Sequence, residues 1–126
     1  MKNETLPTDA ELSLLRYLWK SGPSTVREVR DGAGPSVGYT TVLKLLQIML
    51  AKGLVERDES GVAHTYMARE PQEKTESRIV GRLMRQLFDG SPSRLMLRAL
   101  SAERASREEL DEIRAMLNDQ KKRGRK

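Results

Sequence analysis

The stretch GYTTVLKLLQIMLAKGLVERDESGVAHTYMA, residues 38–68, decides the fold. Its first half repeats apolar residues at helical spacing and ends at Gly53, which directly follows Lys52, as a glycine that terminates a helix should. Its second half contains two alternating runs, LVERD and AHTYMA, on either side of ESG, which is the pattern of a β-hairpin. The stretch therefore predicts a helix followed at once by a hairpin, with His64 in the second strand.

A helical wheel divides the predicted helix into two faces, because each residue turns about 100°. The broad apolar face faces the core and contains Tyr39, Val42, Leu45, Leu46, Met49 and Leu50. The opposite arc is small, polar or basic, and contains Thr40, Thr41, Lys44, Gln47, Ile48 and Ala51. The helix is thus predicted to be a buried element with one exposed face.

Two shorter helices are predicted before this one. Thr8 and Glu11 have the spacing of a capping box at the start of the first helix, which SGPS ends. A second helix is predicted from about Thr25 to Arg30, with Ser24 or Thr25 as its cap, and the Gly/Pro-rich DGAGPSVG follows as a turn. The order helix, turn, helix, turn, helix, hairpin is that of a winged helix-turn-helix, in which the third helix enters the major groove of DNA.

Charge is distributed unevenly along the 126 residues, whose net charge is +5. Residues 1–70 contain nine Lys/Arg and nine Asp/Glu, so the excess lies later in the chain and largely in the tail KKRGRK, Lys121 to Lys126. A short basic tail is more often a solvated end than a specific site. The absence of any acidic residue between Asp31 and Glu56 is more informative, because that window contains the third helix.

From residue 71 onwards the pattern is entirely helical, which predicts two domains: 1–70, a winged helix, and 71–126, a helical dimerisation region with a basic tail. Ser91 and Pro92 open one helix, and Ser106 and Glu109 form the capping box of another. Three helices in about 50 residues bury little core by themselves, so a homodimer is the simplest way to cover their apolar stripes. The predicted interface contains Ile79, Leu83, Leu87, Leu95, Leu110, Ile113 and Leu117.

Catalytic, metal and cofactor sites find no support in the sequence. The chain has no cysteine, and its single histidine, His64, is not accompanied by a nucleophile motif or a metal-ligand spacing. No phosphate-binding GxxxxGK[ST] motif is present. No residue run is apolar enough for a membrane span, and no signal sequence is recognisable, so we expect a cytoplasmic protein without a cofactor.

DNA contact is predicted for the outer arc of the third helix, although each residue also has a plain structural reading. Thr40 and Thr41 suit phosphates or base edges, but they also suit a helix N-terminus. Lys44 and Gln47 are long enough to reach guanine and adenine, and Ile48 either packs half-buried against the wing, which we favour, or meets a thymine methyl. Further candidates for phosphate contact are Arg27, Arg57 and His64.

The chain resembles the penicillinase repressor family of bacterial transcription regulators (the BlaI/MecI/CopY group). Three blocks carry the resemblance in the right order: TDAELSLLRYLWKSGPSTVREV, YTTVLKLLQIMLAKGLVERDESGVAHTYMA and LFDGSPSRLMLRAL. The resemblance implies a dimeric repressor that binds a pseudo-palindromic operator through an N-terminal winged helix. The groove-facing positions of the family fall on Thr40, Thr41, Leu43, Lys44 and Ile48.

The resemblance also bears on how such a repressor is released from DNA. Copper-responsive relatives use a cysteine-rich C-terminal motif, which this chain lacks. β-Lactam-responsive relatives are cleaved at an Asn-Phe bond in a long helix, where this chain has Arg82-Leu83. This pair gives cleavage no support, but because the family is diverse, a membrane sensor protease is kept as a candidate inducer partner.

Two functional hypotheses follow from the sequence. The first is a homodimeric, sequence-specific, DNA-binding transcriptional repressor. The alternative is a protein-interaction module with a winged helix, in which only the basic tail touches nucleic acid and does so without specificity. The balanced charge of residues 1–70 keeps this alternative open.

Overall fold

In the part of the chain that the structure describes, six helices and one two-stranded antiparallel hairpin follow one another in the predicted order, and the fold is a mainly helical winged helix-turn-helix. A computed structural model describes residues 6–33 and 36–124. The elements are α1 (Asp9–Ser21), α2 (Val26–Ala33), α3 (Tyr39–Lys52), β1 (Val55–Asp58), β2 (Thr65–Ala68), α4 (Gln72–Leu87), α5 (Pro92–Ala102) and α6 (Arg107–Gly124).

The helix starts follow the capping signals in the sequence. In the capping box of α1, the Glu11 N–H donates to Thr8 Oγ1 at 3.2 Å, and the Thr8 N–H donates to Glu11 Oε1 at 3.0 Å. Thr25, rather than Ser24, caps α2 through the same reciprocal pair of bonds with Glu28. The other predicted caps are present too: Ser91 with Pro92 before α5, and Ser106 with Glu109 before α6.

Helix α2 is longer than the sequence predicts, and its predicted end at Arg30 is wrong. It continues to Ala33, through a glycine that the pattern assigned to the turn. The ring of Tyr17 in α1 lies over Gly32, so closely that a Cβ atom there would overlap the ring. The two helices approach closely because Gly32 has no side chain.

The core of the winged helix is formed by α1, α2, α3 and the base of the hairpin. Its buried apolar side chains include Leu15, Val29, Leu46 and Tyr66, which are at most 2% exposed. Gly53 adopts the left-handed conformation (φ 82°) after α3, and its N–H donates to the Leu50 carbonyl, so the chain reverses into β1. The main chain of Ser24 pairs with Tyr66 and adds a short bridge to the edge of the hairpin.

The strands of the hairpin are shorter than predicted. Val55 pairs with Ala68 and Asp58 with Thr65, so the connection runs from Glu59 to His64 instead of the three residues ESG. His64 therefore lies in the loop before β2, and its predicted place in a strand is wrong. The side chain of Asp58 accepts a hydrogen bond from the Ser60 N–H at 2.9 Å and begins a turn of its own, which ends the pairing early.

The described residues form two compact units that divide between Arg82 and Leu83, inside α4. The first turns of α4 thus pack with the winged helix, whereas the change in composition suggested a boundary between residues 70 and 71, which stays a prediction. In the second unit Phe88 is buried and the Arg94 guanidinium lies 5.9 Å from the centroid of its ring. No helix within residues 6–33 and 36–124 is long and apolar enough to span a membrane.

Candidate nucleic-acid interface

Helix α3 is seated in the core by one face and exposed on the other. Val42, Leu46 and Met49 are at most 1% exposed and pack against the core. The side chains on the outer arc are turned to solvent: Thr40, Thr41, Lys44, Gln47 and Ala51, together with Ile48, which is 39% exposed. The two faces predicted from the helical wheel are thus present, with the exception of Tyr39.

The outer face of α3 has a basic to neutral character. Its first turn has no acidic residue, and Gly38 caps the helix without a side-chain hydrogen bond. Lys44 forms no ion pair with any other residue in the described part of the chain. Hydroxyl, amide and ammonium groups on a surface without acids are suited to phosphate oxygens and base edges.

Tyr39 is 46% exposed, so its predicted place in the core is wrong. It is the first residue of α3 and is not among the side chains that pack on the core. Tyr39 instead lines an open cleft of about 520 Å³ between α2, α3 and the hairpin. The side chains around this cleft are Thr25, Val26, Arg27, Tyr39, Leu43, Val62, Ala63, His64 and Tyr66.

The cleft brings together two predicted phosphate contacts that are far apart in the sequence. Arg27 in α2 and His64 before β2, both predicted to contact phosphates, line its walls. Arg27 is exposed and has no ion-pair partner among the described residues. Leu43 lines the same cleft but is half-buried against the core, so it projects less freely than the groove-facing position implied by the family resemblance.

Arg57, the third predicted phosphate contact, is already engaged within the hairpin. Its Nη2 atom lies 2.6 Å from Glu59 Oε2. A hydrogen bond with Tyr66, together with the charge of Glu59, raises the pKa of Arg57 above its ordinary value. A DNA phosphate would therefore compete with Glu59 for this guanidinium.

The hairpin also carries more negative charge than the helices beside it. Glu56 lies 4.0 Å from Arg69, and Asp58 accepts hydrogen bonds from the main chain and side chain of Ser60, which lower the pKa of Asp58. Glu59 and Glu56 thus have cationic partners in Arg57 and Arg69, whereas the charge of Asp58 is stabilised by hydrogen bonds alone. The outer face of α3 and Arg27 carry the uncompensated positive charge on this side of the molecule.

Val62 is the functional candidate that the sequence analysis missed. It is fully exposed at the tip of the hairpin, next to Gly61 and Ala63. In the sequence it stands between ESG and AHTYMA, outside both predicted strands, which is the only signal that could have drawn attention to it. The apolar part of this loop is confined to its tip, because the loop begins with Glu59, whose carboxylate pairs with Arg57.

The apolar residues predicted to form a dimer interface are open on the single chain. Leu83 and Leu87 are 42% and 61% exposed, and Leu110 and Leu117 are about half exposed. Ile79, Leu95 and Ile113 are partly covered. Exposed leucines thus lie on each of the helices α4, α5 and α6, and the dimer interface stays a prediction.

The described residues contain no cluster of three or more His, Asp or Glu side chains suited to a metal ion. The model of the penicillinase repressor family matches residues 7–119, which is most of the chain. The chain belongs to the penicillinase repressor family.

Solved structures agree with the fold of this repressor-family protein. It is similar to YusO from Bacillus subtilis (TM-score 0.53, 21% identity, covering 91% of this chain and 74% of that one). It is also similar to a MarR family protein from Bacillus stearothermophilus (TM-score 0.52, 21% identity, 95% and 76% covered). A third similar structure is transcriptional regulator Tm0710 from Thermotoga maritima (TM-score 0.52, 18% identity, 90% and 73% covered).

A search of curated proteins found no significant match. The family and the fold together identify this repressor-family protein as a winged-helix transcriptional regulator rather than a member of an enzyme family.

Proposed function

We propose that this protein is a homodimeric, sequence-specific DNA-binding repressor. The observation that carries the proposal is the outer face of α3, which is exposed and free of acids while its inner face is buried in the core. Thr40, Thr41, Lys44 and Gln47 would meet base edges and phosphates in the major groove. Arg27 and the cleft that it lines would contact the adjacent sugar-phosphate backbone.

The homodimer rests on the exposed leucines of α4, α5 and α6. Two copies that cover these surfaces would carry two winged helices related by a twofold axis. Such a dimer reads two half-sites about one helical turn, or a multiple of it, apart. The operator is accordingly expected to be pseudo-palindromic, and bound repressor would block transcription from it in the cytoplasm.

Release from the operator by a membrane sensor protease is a further part of the proposal that rests on family membership. Arg82 and Leu83 lie inside α4, and both side chains are exposed. A protease needs an extended substrate, so cleavage at this bond would require α4 to unwind locally. Limited proteolysis of the free protein and of the DNA complex would show whether this bond is cut.

The experiment that tests sequence-specific binding is selection from a random pool of duplexes, followed by footprinting on the selected sequence. A protected, pseudo-palindromic site is the expected result. Weak and uniform binding to all duplexes would overturn the proposal.

Two variants distinguish the repressor from an interaction module that touches DNA only through its tail. Lys44→Ala should cost about 1–3 kcal/mol of binding free energy if Lys44 contacts a base. Lys20→Ala is the matched control, since Lys20 is exposed on α1 and also unpaired among the described residues. If truncation after Gln120 abolishes binding while Lys44→Ala changes neither affinity nor preference, the interaction module is the correct function.

A further inference from the structure

Glu70 lies between β2 and α4, and both its main-chain carbonyl and its carboxylate accept hydrogen bonds. Its main-chain carbonyl accepts a hydrogen bond of 2.9 Å from the indole Nε1–H of Trp19, which is 51 positions earlier in the sequence. Trp19 is half-buried and packs on the core of the winged helix. The carbonyl of Glu70 is therefore tied to the C-terminal part of α1.

The carboxylate of the same residue is tied to α4. Its Oε1 atom accepts a hydrogen bond from the Arg78 guanidinium, with which it forms an ion pair. It also accepts a hydrogen bond of 3.3 Å from the hydroxyl of Thr75. Thr75 is only 5% exposed, so this contact is shielded from water. The Glu70 carboxylate, two residues before α4, thus binds side chains of the first two turns of that helix.

The neighbours of Glu70 leave this segment little freedom. The N–H of Arg69 donates to the Leu54 carbonyl at 3.0 Å, which fixes the chain on the side of the hairpin. Pro71 follows and restricts Glu70 to extended backbone conformations. The direction in which α4 leaves the winged helix is consequently determined by a small set of contacts, which we call the α4 junction: Trp19, Glu70, Thr75 and Arg78.

We propose that the α4 junction determines the half-site spacing that the protein accepts in its operator. The inference rests on the proposed function, because it needs two winged helices joined through their C-terminal helices. If α4 leaves each winged helix in one direction, the two α3 helices lie at one fixed separation. Each base pair added between half-sites moves one of them by about 3.4 Å and turns it by about 35° around the duplex. A rigid junction cannot follow that change, whereas a loosened one can. Glu70 and Arg78 are thus positioning residues, which need not touch DNA.

The test compares duplexes selected by the full-length protein with versions whose spacer is one base pair longer or shorter. For the wild type the altered spacing should weaken binding on the order of tenfold, comparable to the effect of a mismatched base pair. In Arg78→Met, which removes the ion pair, and in Trp19→Phe, which removes the indole donor together with one ring of the side chain, the penalty should fall to about threefold or less. Affinity for the selected spacing should change little, because α3 is intact.

Two controls separate positioning from general effects. Lys74→Met removes an exposed cation from the same helix without touching the junction, and it should keep the wild-type penalty. Val29→Ala creates a cavity in the core and lowers stability, yet it should also keep the penalty, because the junction is unchanged. Restoration of the spacing penalty in Arg78→Lys, relative to Arg78→Met, would support an electrostatic tie to Glu70.

The outcomes also distinguish this inference from the proposed function. If no duplex is selected at all, sequence-specific binding itself is wrong. If a duplex is selected and Arg78→Met and Trp19→Phe retain the full spacing penalty, the repressor stands and the role of the junction is overturned. The same conclusion follows if these variants lose affinity equally at every spacing.

Discussion

The Nζ atom of Lys52, the last residue of α3, lies 2.8 and 2.9 Å from the two carboxylate oxygens of Glu11 in α1. The Glu11 side chain is 3% exposed, and the same carboxylate caps the start of α1 through the Thr8 N–H. One buried acid therefore joins the beginning of α1 to the end of α3, the helix that we propose contacts DNA.

Breaking this pair should destabilise the fold more than the loss of a surface ion pair. Lys52→Met leaves the Glu11 carboxylate buried with only the Thr8 N–H to compensate it, and we expect a loss of about 3 kcal/mol in the free energy of unfolding. Glu11→Gln removes the charge itself, so its loss should be smaller, on the order of 1 kcal/mol. Urea unfolding at pH 7 measures both. Equal losses for the two variants would contradict an uncompensated buried charge as the cause.

The buried carboxylate of Glu11 predicts that the free energy of unfolding depends on pH. Burial by itself raises the pKa of Glu11, but the hydrogen bonds from Lys52 and Thr8 and the charge of Lys52 outweigh it, so the pKa lies below its ordinary value of 4.5. Because the folded protein binds this proton less readily than the unfolded chain does, the stabilisation is present above pH 4.5 and is lost as the pH falls through the lower, folded value. The unfolding free energy of Glu11→Gln should therefore fall less steeply below pH 4.5 than that of the wild type. Parallel curves would rule out Glu11 as the titrating group.

Releasing Arg57 from Glu59 should strengthen DNA binding. Glu59→Gln removes a negative charge beside the expected path of the phosphates and frees a guanidinium that lies 2.6 Å from Glu59. We expect a gain of about threefold in affinity, in the range of a surface charge pair, and a salt slope about one unit steeper if Arg57 then contacts a phosphate. Fluorescence anisotropy at several salt concentrations measures both. Glu103→Gln makes the same change of charge at another exposed site, and an equal gain there would show a general charge effect.

The exposed leucines of α4 provide a test of assembly. Leu83→Asp would place an unpaired charge in the expected interface of each copy and should weaken dimerisation on the order of 100-fold or more. Gln86→Asp is the matched control, because Gln86 is also exposed on α4 and no role in the interface is predicted for it. Sedimentation across a concentration series gives the dissociation constants. An intact dimer in Leu83→Asp would mean that the interface lies elsewhere.

The contact between Tyr17 and Gly32 predicts that Gly32→Ala destabilises the wild type but stabilises a variant that lacks the Tyr17 ring. Alanine is a better helix former than glycine by about 1 kcal/mol, but in the wild type its methyl group would overlap the Tyr17 ring, so Gly32→Ala should destabilise by about 1–3 kcal/mol. In a Tyr17→Ala background the overlap is gone and the same substitution should stabilise. Thermal unfolding of the four proteins completes the cycle. A destabilising Gly32→Ala in both backgrounds would contradict the steric explanation.

Local signals account for most of the fold that could be predicted. The capping boxes, the glycine after α3 and the 3.6-residue period of α3 are short-range features, and each produced the element it predicts. The same period separated the buried Val42, Leu46 and Met49 from the exposed Thr40 and Lys44. These predictions held because adjacent residues on a helix have fixed relative directions, whatever the helix packs against.

Tertiary packing decided what those local signals could not. Tyr39 is exposed although its spacing places it on the apolar face of α3, and the approach of the Tyr17 ring to Gly32 joins two different helices. The pairing of Arg57 with Glu59 and the meeting of Trp19, Glu70 and Arg78 likewise depend on how the hairpin and α4 are placed. The sequence by itself determined the order of the elements and the outer face of α3, because these follow from residue spacing along one helix. Only the tertiary structure decided which charges are compensated and how α4 is fixed, because the partners in those contacts come from different elements.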